Sequence, residues 1–190
     1  MKIFFDYSGR GVKDFGKNYK KILDTINSLG HTNLRKLTTE EERQEFYSGD
    51  HKARVNHYNT LIAYIKKADI IILELSMHSL SMGYLLQKAL ESSKPVIALY
   101  QKKFDPSFAT GIQNDRLQVI EYSPDELKKV LEFAIKYAQD QQDTRFNFFI
   151  SPKHQSYLDW IAKNRKVPRS VYLRDLIEED MKENSEYNKG

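Results

Sequence analysis

"ADIIILELSMHSLSMGYLLQKALESSKPVIALY", residues 68–100, decides the fold. Its "DIIILEL" (69–75) is an unbroken β-branched run, the pattern of a strand covered on both faces. A loop of serines follows, "SMHSLSMG" (76–83), then a helix, then "KPVIALY" (94–100), a second buried strand. Upstream, "KIFFDYS" (2–8) is a short apolar run that breaks at "GRG", as a first buried strand entering a loop does. In "FGKNYKKILDTINSLGH" (15–31), Tyr19, Ile22, Leu23, Ile26 and Leu29 recur at helical spacing, and Gly30 supplies the stop. "HTNLRKL" (31–37) reads as a short strand, and the polar stretch from Thr38 to Asn56 as a helix that "HYNTLIAYIKKA" (57–68) continues. Downstream, "RLQVIEY" (116–122) is another buried strand. "SPDELKKVLEFAIKYAQDQQ" (123–142) opens with Ser123 as N-cap, Pro124 at the first helical position and Glu126 at the capping-box place. Strands alternating with helices predict a parallel sheet in an α/β layer fold.

Composition narrows the classes. The 190 residues are 40% hydrophobic and 29% charged, enough for a real core in a soluble protein. No apolar run approaches the length of a membrane span, and "IFF" is too short for a signal peptide. Zero cysteines exclude disulfides, thiol catalysis and cysteine-ligated metal, and fit a reducing cytoplasm. The five histidines show no chelating spacing, so no metal is expected, and no cofactor. Net charge is +4, which allows a polyanionic partner without demanding one. Charge is unevenly placed. Residues 144–174 carry seven Lys/Arg against one Asp, and residues 175–190 six Asp/Glu against two Lys. A basic block followed by an acidic tail marks a separate module. The boundary falls in "AQDQQDTR" (138–145), giving domains 1–142 and 143–190.

In open parallel sheets, ligands sit outside the carboxyl ends of the strands. Two loops follow strand ends here. The first offers Ser8, Gly9, Arg10 and Gly11, suited to phosphate, because Arg makes bidentate charge-assisted hydrogen bonds and glycines expose backbone N–H groups. The second offers Ser76, Ser79 and Ser81, then Gly83 at a helix N-terminus, where the dipole favours an anion. His78 in this loop reads as an exposed histidine or a ligand contact. Tyr7 and Tyr84 are either packed or placed to stack on a base.

"FFDYSGRG" together with residues 68–100 resembles the nucleoside 2-deoxyribosyltransferase superfamily, most closely its deoxynucleoside 5′-monophosphate N-glycosidase branch. The resemblance covers about residues 1–140. It implies a flavodoxin-like, usually dimeric α/β sandwich that holds phosphate through Ser8, Arg10, Gly11 and Ser79. Serine at 79, where nucleoside-specific relatives place an aspartate, implies a nucleotide 5′-monophosphate ligand. The family nucleophile is a glutamate in Gly-Tyr-Glu-Leu, and this chain reads Gly83-Tyr84-Leu85-Leu86. Leucine cannot attack an anomeric carbon. A second family aspartate falls on Leu61. Glu74 and Glu91 are the remaining carboxylates near the motif. Glu74 sits within the strand pattern, suited to satisfying nearby donors, and Glu91 lies two turns along the helix.

In "RFNFFISPKHQSYLDWIAKNRKVPRSVYLRDLIEEDMKEN" (145–184), residues 145–151 alternate, then Ser151 and Pro152 start a helix. Leu158, Ile161 and Ala162 form its stripe. A basic turn leads to a second helix with Leu173, Leu176, Ile177 and Met181. One strand and two helices cannot bury a core alone and need a partner copy. The segment resembles the ribbon-helix-helix DNA-binding fold. The resemblance implies that Arg145, Asn147 and Phe149 face base edges while Arg169 and Ser170 hold phosphate. The structural alternative is a helical dimerisation tail.

The combined expectation is a cytoplasmic homodimer, or higher even oligomer, acting as a DNA-binding transcription regulator of repressor type. Its N-terminal domain senses a nucleotide without cleaving it. The alternatives are an active nucleotide N-glycosidase or deoxyribosyltransferase with a dimerising tail, and an antitoxin-like interaction module without a small ligand.

Overall fold

The computed structural model describes residues 1–38, 48–140, 148–185 and 187. The chain divides into two compact units, Met1–Asp143 and Thr144–Gly190.

The first unit is a flavodoxin-like α/β sandwich around one five-stranded parallel sheet. Its strands are β1 (Lys2–Tyr7), β2 (Thr32–Asn33), β3 (Ile70–Glu74), β4 (Val96–Tyr100) and β5 (Leu117–Glu121). Spatial order is β2-β1-β3-β4-β5. The helices are α1 (Val12–Ser28), α2 (His51–Lys67), α3 (Leu80–Glu91), the short α4 (Ser107–Thr110) and α5 (Leu127–Asp140). β1 and β3 pair in register from Ile3 with Ile70 to Tyr7 with Glu74. All five residues of β3 are buried, as its run of branched apolar side chains requires for a strand covered on both faces.

Strand alternation sorts the core into two layers. Ile3, Phe5, Tyr7, Ile70 and Ile72 point to the face where Phe15, Tyr19, Ile22 and Ile26 of α1 meet Leu127, Leu131 and Ile135 of α5. Phe4, Ile71 and Leu73 point to the other face, with Leu61 and Ile65 of α2 and Leu85, Leu86 and Leu90 of α3. Each helix contributes one apolar stripe, and the sheet is the partition between them. Gly30, at φ +80°, ends α1 in the left-handed conformation that glycine adopts without a steric cost.

One expectation needs correction here. The helical stretch expected from Thr38 is not one continuous helix: Ser48 is helical, the helix breaks at Gly49 and Asp50, and α2 begins at His51, where the Asp50 carboxylate caps it by accepting the Ala53 N–H at 2.7 Å. Residues 39–47 of that stretch lie outside the described residues. Gly83 lies in the first turn of α3, at its N-terminus, with its N–H already donating to the Ser79 carbonyl at 3.2 Å.

The second unit shows α6 (Pro152–Asn164) and α7 (Arg169–Glu183). Ser151 caps α6, its hydroxyl accepting the His154 N–H, and Pro152 opens it. Leu158 and Ile161 are buried, whereas α7 has no buried residue. Most of the expected strand lies outside the described residues. Residues 144–147 lie outside the described residues, and residues 148–150 belong to no sheet.

Ile72 lies at the middle of β3 with no exposed surface. Ile72→Ala should cost about 2–5 kcal/mol of unfolding free energy, read from the urea midpoint at unchanged slope.

Candidate functional site

The sheet order reverses between β1 and β3, so the chain leaves these neighbouring strands toward opposite faces and opens a crevice at their carboxyl ends. The loops Ser8–Gly11 and Leu75–Ser79 both leave the sheet here. Ser8 continues the strand geometry at φ −69°, ψ 121°, and a single 3-10 turn, Gly9–Gly11, follows. The turn is closed by the Gly11 N–H donating to the Ser8 carbonyl at 2.9 Å. That N–H is therefore already used, and the expected reason for glycine at 11 is replaced by packing. A Cβ there would stand 2.2 Å from the Tyr19 hydroxyl and 2.9 Å from Met77 Cβ. Gly11 is where the first loop, α1 and the second loop meet.

The phosphate-type residues are brought to one edge. Ser8 is buried and Arg10 exposed, with no hydrogen bond or ion pair for Arg10 among the described residues. Gly9 is half-buried. Ser79 stands at the N-cap of α3, and its side chain makes no capping bond. The first N–H groups of a twelve-residue helix consequently face the crevice edge without a side-chain acceptor from Ser79. Nothing lies within 4 Å of the position a Cβ would take at Gly83, so the helix surface is open there.

Beneath the loops is a polar cluster that the sequence pattern alone did not assemble. Glu74 ends β3 with no exposed surface. Its Oε1 accepts from Ser76 Oγ at 2.5 Å and from the Tyr122 hydroxyl at 3.2 Å. Ser76 Oγ in turn accepts the Gln101 N–H at 2.9 Å, tying the end of β4 to the loop after β3. The Tyr19 hydroxyl makes no hydrogen bond of good geometry among the described residues, although it is near enough for Glu74 to hold its proton more firmly. Burial dominates the electrostatics, raising the Glu74 pKa to about 7 against the pull of its hydroxyl donors, and it also raises both tyrosines.

On the opposite face of the sheet, Asp6 near the end of β1 is buried and forms an ion pair with Arg35. Burial raises the Asp6 pKa and the Arg35 charge opposes it. Arg35 also donates to Thr38 Oγ1 at 2.8 Å, and the Thr38 N–H donates to the Tyr7 hydroxyl at 2.9 Å. Tyr7 stacks on Tyr19 with centroids 4.2 Å apart. It is packed, not a platform for a base. Tyr84 is partly exposed and its hydroxyl meets that of Tyr58 at 3.2 Å. His78 is exposed, and Glu91 pairs with Lys88 at 2.6 Å on the helix surface. Leu61 and Leu85 are buried in one apolar cluster, 8% and 3% exposed, so neither position offers a polar group.

The expected DNA-contact residues are not gathered into a site. Arg145 and Asn147 lie outside the described residues, Phe149 is fully exposed, and Ser170 is exposed in the first turn of α7. Arg169 pairs with Asp159 of α6. Among the described residues no group of His, Asp or Glu could hold a metal ion. No helix among them is long and apolar enough to cross a membrane.

No protein-family model matches the chain. Individual relatives do. The chain is 31% identical over 135 residues to the "Putative 2′-deoxynucleoside 5′-phosphate N-hydrolase 1" of Syntrophotalea carbinolica, covering 70% of this chain and 92% of that protein. It is 25% identical over 139 residues to the 5-hydroxymethyl-dUMP N-hydrolase of Tetraodon nigroviridis, covering 70% and 95%. It is 24% identical over 136 residues to the enzyme of the same name from Mus musculus, covering 68% and 76%. These names overturn the expectation of a DNA-binding transcription regulator of repressor type. Across the matched two-thirds of the chain, the relatives are named as enzymes, not as regulators.

The cluster around Glu74 predicts a pH dependence of stability. Between about pH 4.5 and 7 the unfolded chain has released the Glu74 proton while the folded chain still holds it, so stability falls as pH rises through that window. Glu74→Gln keeps an acceptor for Ser76 and Tyr122 and cannot ionise. Denaturation at several pH values should show the variant gaining about 3 kcal/mol relative to the wild type across the window. An unchanged difference would mean that Glu74 titrates normally. Gly11→Ala should cost about 1–3 kcal/mol from overpacking against Tyr19 and Met77, seen as a lowered denaturation midpoint.

Proposed function

The chain belongs to the family of 2′-deoxynucleoside 5′-phosphate N-hydrolases, within the nucleoside 2-deoxyribosyltransferase-like superfamily, and on that premise we propose that it binds a 2′-deoxynucleoside 5′-phosphate and hydrolyses its N-glycosidic bond. The observation that carries this reading is the meeting of the Ser8–Gly11 loop with the loop before α3 at the β1/β3 crevice, where the unengaged Arg10 and the α3 N-terminus favour an anion. In the proposed reaction a water oxygen bonds to the anomeric carbon. The C–N bond breaks, its electron pair goes to the base nitrogen, and that nitrogen takes up a proton. The products are 2-deoxyribose 5-phosphate and a free base. Ser8 and Arg10 hold the phosphate, with Ser79 and the helix N-terminus on its other side. Gly9 and Gly83 keep the backbone approachable.

Leucine at 61 and 85 favours a second reading, in which the same ligand binds and is not cleaved. One assay separates the two. Each deoxynucleoside monophosphate is incubated with the full-length protein, and free base is followed by chromatography. Base release that scales with protein concentration is expected. Binding by calorimetry without release would establish the second reading. Arg10→Ala should weaken nucleotide affinity about tenfold or more, the loss of one charge-assisted pair, and an unchanged affinity would remove the phosphate-loop assignment.

For the second unit we propose pairing with a second copy of the chain, in the manner of a ribbon-helix-helix dimer. Trp160, Leu176 and Ile177 are 51%, 43% and 61% exposed, and α7 buries nothing within its own unit. So small a unit ordinarily cannot stand on so few buried side chains. Its charges are also self-complementary: Lys163 at the end of α6 and Arg165 and Lys166 in the turn, against Glu178, Glu179 and Glu183 on α7, as an isologous contact uses them. Light scattering should give twice the chain mass, and Trp160→Glu with Ile177→Glu should shift the protein to monomer. A wild-type monomer at micromolar concentration would end this assignment.

A further inference from the structure

The structure points to Asp6 as the catalytic carboxylate of this chain, standing in for those that positions 61 and 85 lack. The inference rests on the hydrolase reading above. Hydrolysis of an N-glycosidic bond needs a carboxylate at the sugar, and the two family positions are leucines inside the apolar layer between the sheet and α2 and α3. Strand parity decides which other carboxylate reaches that layer. Along β1, Phe5 and Tyr7 face α1 and α5, while Phe4 faces α2 and α3. Asp6, two residues beyond Phe4, shares its face. Glu74 fails the same criterion. It follows Leu73, which faces α2 and α3, and so turns to the opposite side with Tyr19 and Tyr122.

Three further observations place Asp6 at the sugar. Ser8 keeps extended geometry two residues on, so Asp6 and Ser8 project from the same side about 6.5 Å apart along the chain. That span matches a deoxyribose whose 5′-phosphate rests on Ser8 and Arg10 and whose anomeric carbon lies back toward Asp6. Second, the Arg35 guanidinium pairs with Asp6, and its charge opposes the rise in pKa that burial causes. Third, the same arginine lies close enough to His57 to lower its pKa, burial being the larger cause. His57 precedes Leu61 by one turn of α2, on the same helix face. The Asp6–Arg35 ion pair and His57 thus lie near the position from which one family carboxylate is missing.

In the step assigned to it, the Asp6 carboxylate takes a proton from the attacking water as the water oxygen bonds to the anomeric carbon. The departing base nitrogen takes its proton from solvent, and Asp6 later returns its own to solvent, so charge and atoms balance. Arg35 is a positioning residue, since it acts through Asp6.

The test is base release from dAMP, dCMP, dGMP and dTMP by wild type, Asp6→Asn and Asp6→Glu, with nucleotide affinity measured by calorimetry on each. Asp6→Asn should lower kcat about 100-fold or more while KM and nucleotide affinity stay within about twofold. A residue that merely braced the loop would change binding along with turnover. Should Asp6→Asn fail to fold, Asp6→Glu keeps the charge and displaces the carboxylate by one methylene; about a tenfold loss of kcat or more is then expected. An active wild type with an equally active variant overturns the role of Asp6 and leaves the hydrolase reading standing. A wild type that binds nucleotide and releases no base overturns both.

Discussion

The candidate site depends on one constraint, the parallel pairing of β1 with β3. Because the chain between them crosses over and the next strand is added on the far side, the loops that leave these two strands emerge side by side. Gly11 and Met77 then come so close that no side chain fits between them. Neither loop is a site alone. A hydroxyl, a guanidinium and a helix N-terminus become one anion-favouring edge only because the backbone hydrogen bonds of the sheet hold their starting points a strand's width apart.

The same pairing determines what lies beneath. Two carboxylates close the two central strands, Asp6 and Glu74, and alternation sends them to opposite faces. Each is buried and each is treated differently. Glu74 is surrounded by hydroxyls and carries a raised pKa, so near neutrality much of it is a neutral acid stitching β3, β4 and their loops together. Asp6 has a cation beside it, and the guanidinium opposes the effect of burial. Burial raises the pKa of both carboxyl groups; hydroxyl donors oppose it at Glu74 and a guanidinium opposes it at Asp6.

The leucines at 61 and 85 pack into the same layer and complete it. Their effect is local. About 70% of this chain matches proteins named as hydrolases, and it does so with two leucines packed in the apolar layer at these positions. Fold and site are thus separable here, and function must be argued from the second.

The amino-acid sequence by itself determined the alternation of strands and helices, because runs such as "DIIILEL" can satisfy their backbone and bury both faces only inside a parallel sheet. It also marked Ser8, Arg10, Ser79 and Gly83 as phosphate-type residues; they lie on the loops and helix start that follow β1 and β3. Where it fell short, distance was the reason. Gly11 is small because of Tyr19 and Met77, and the partners of Asp6 and Glu74 come from other strands and loops. Periodicity records which way a residue faces its own helix or strand. Only the tertiary structure decides what stands opposite, because the crossover connections, not the local pattern, set which elements become neighbours.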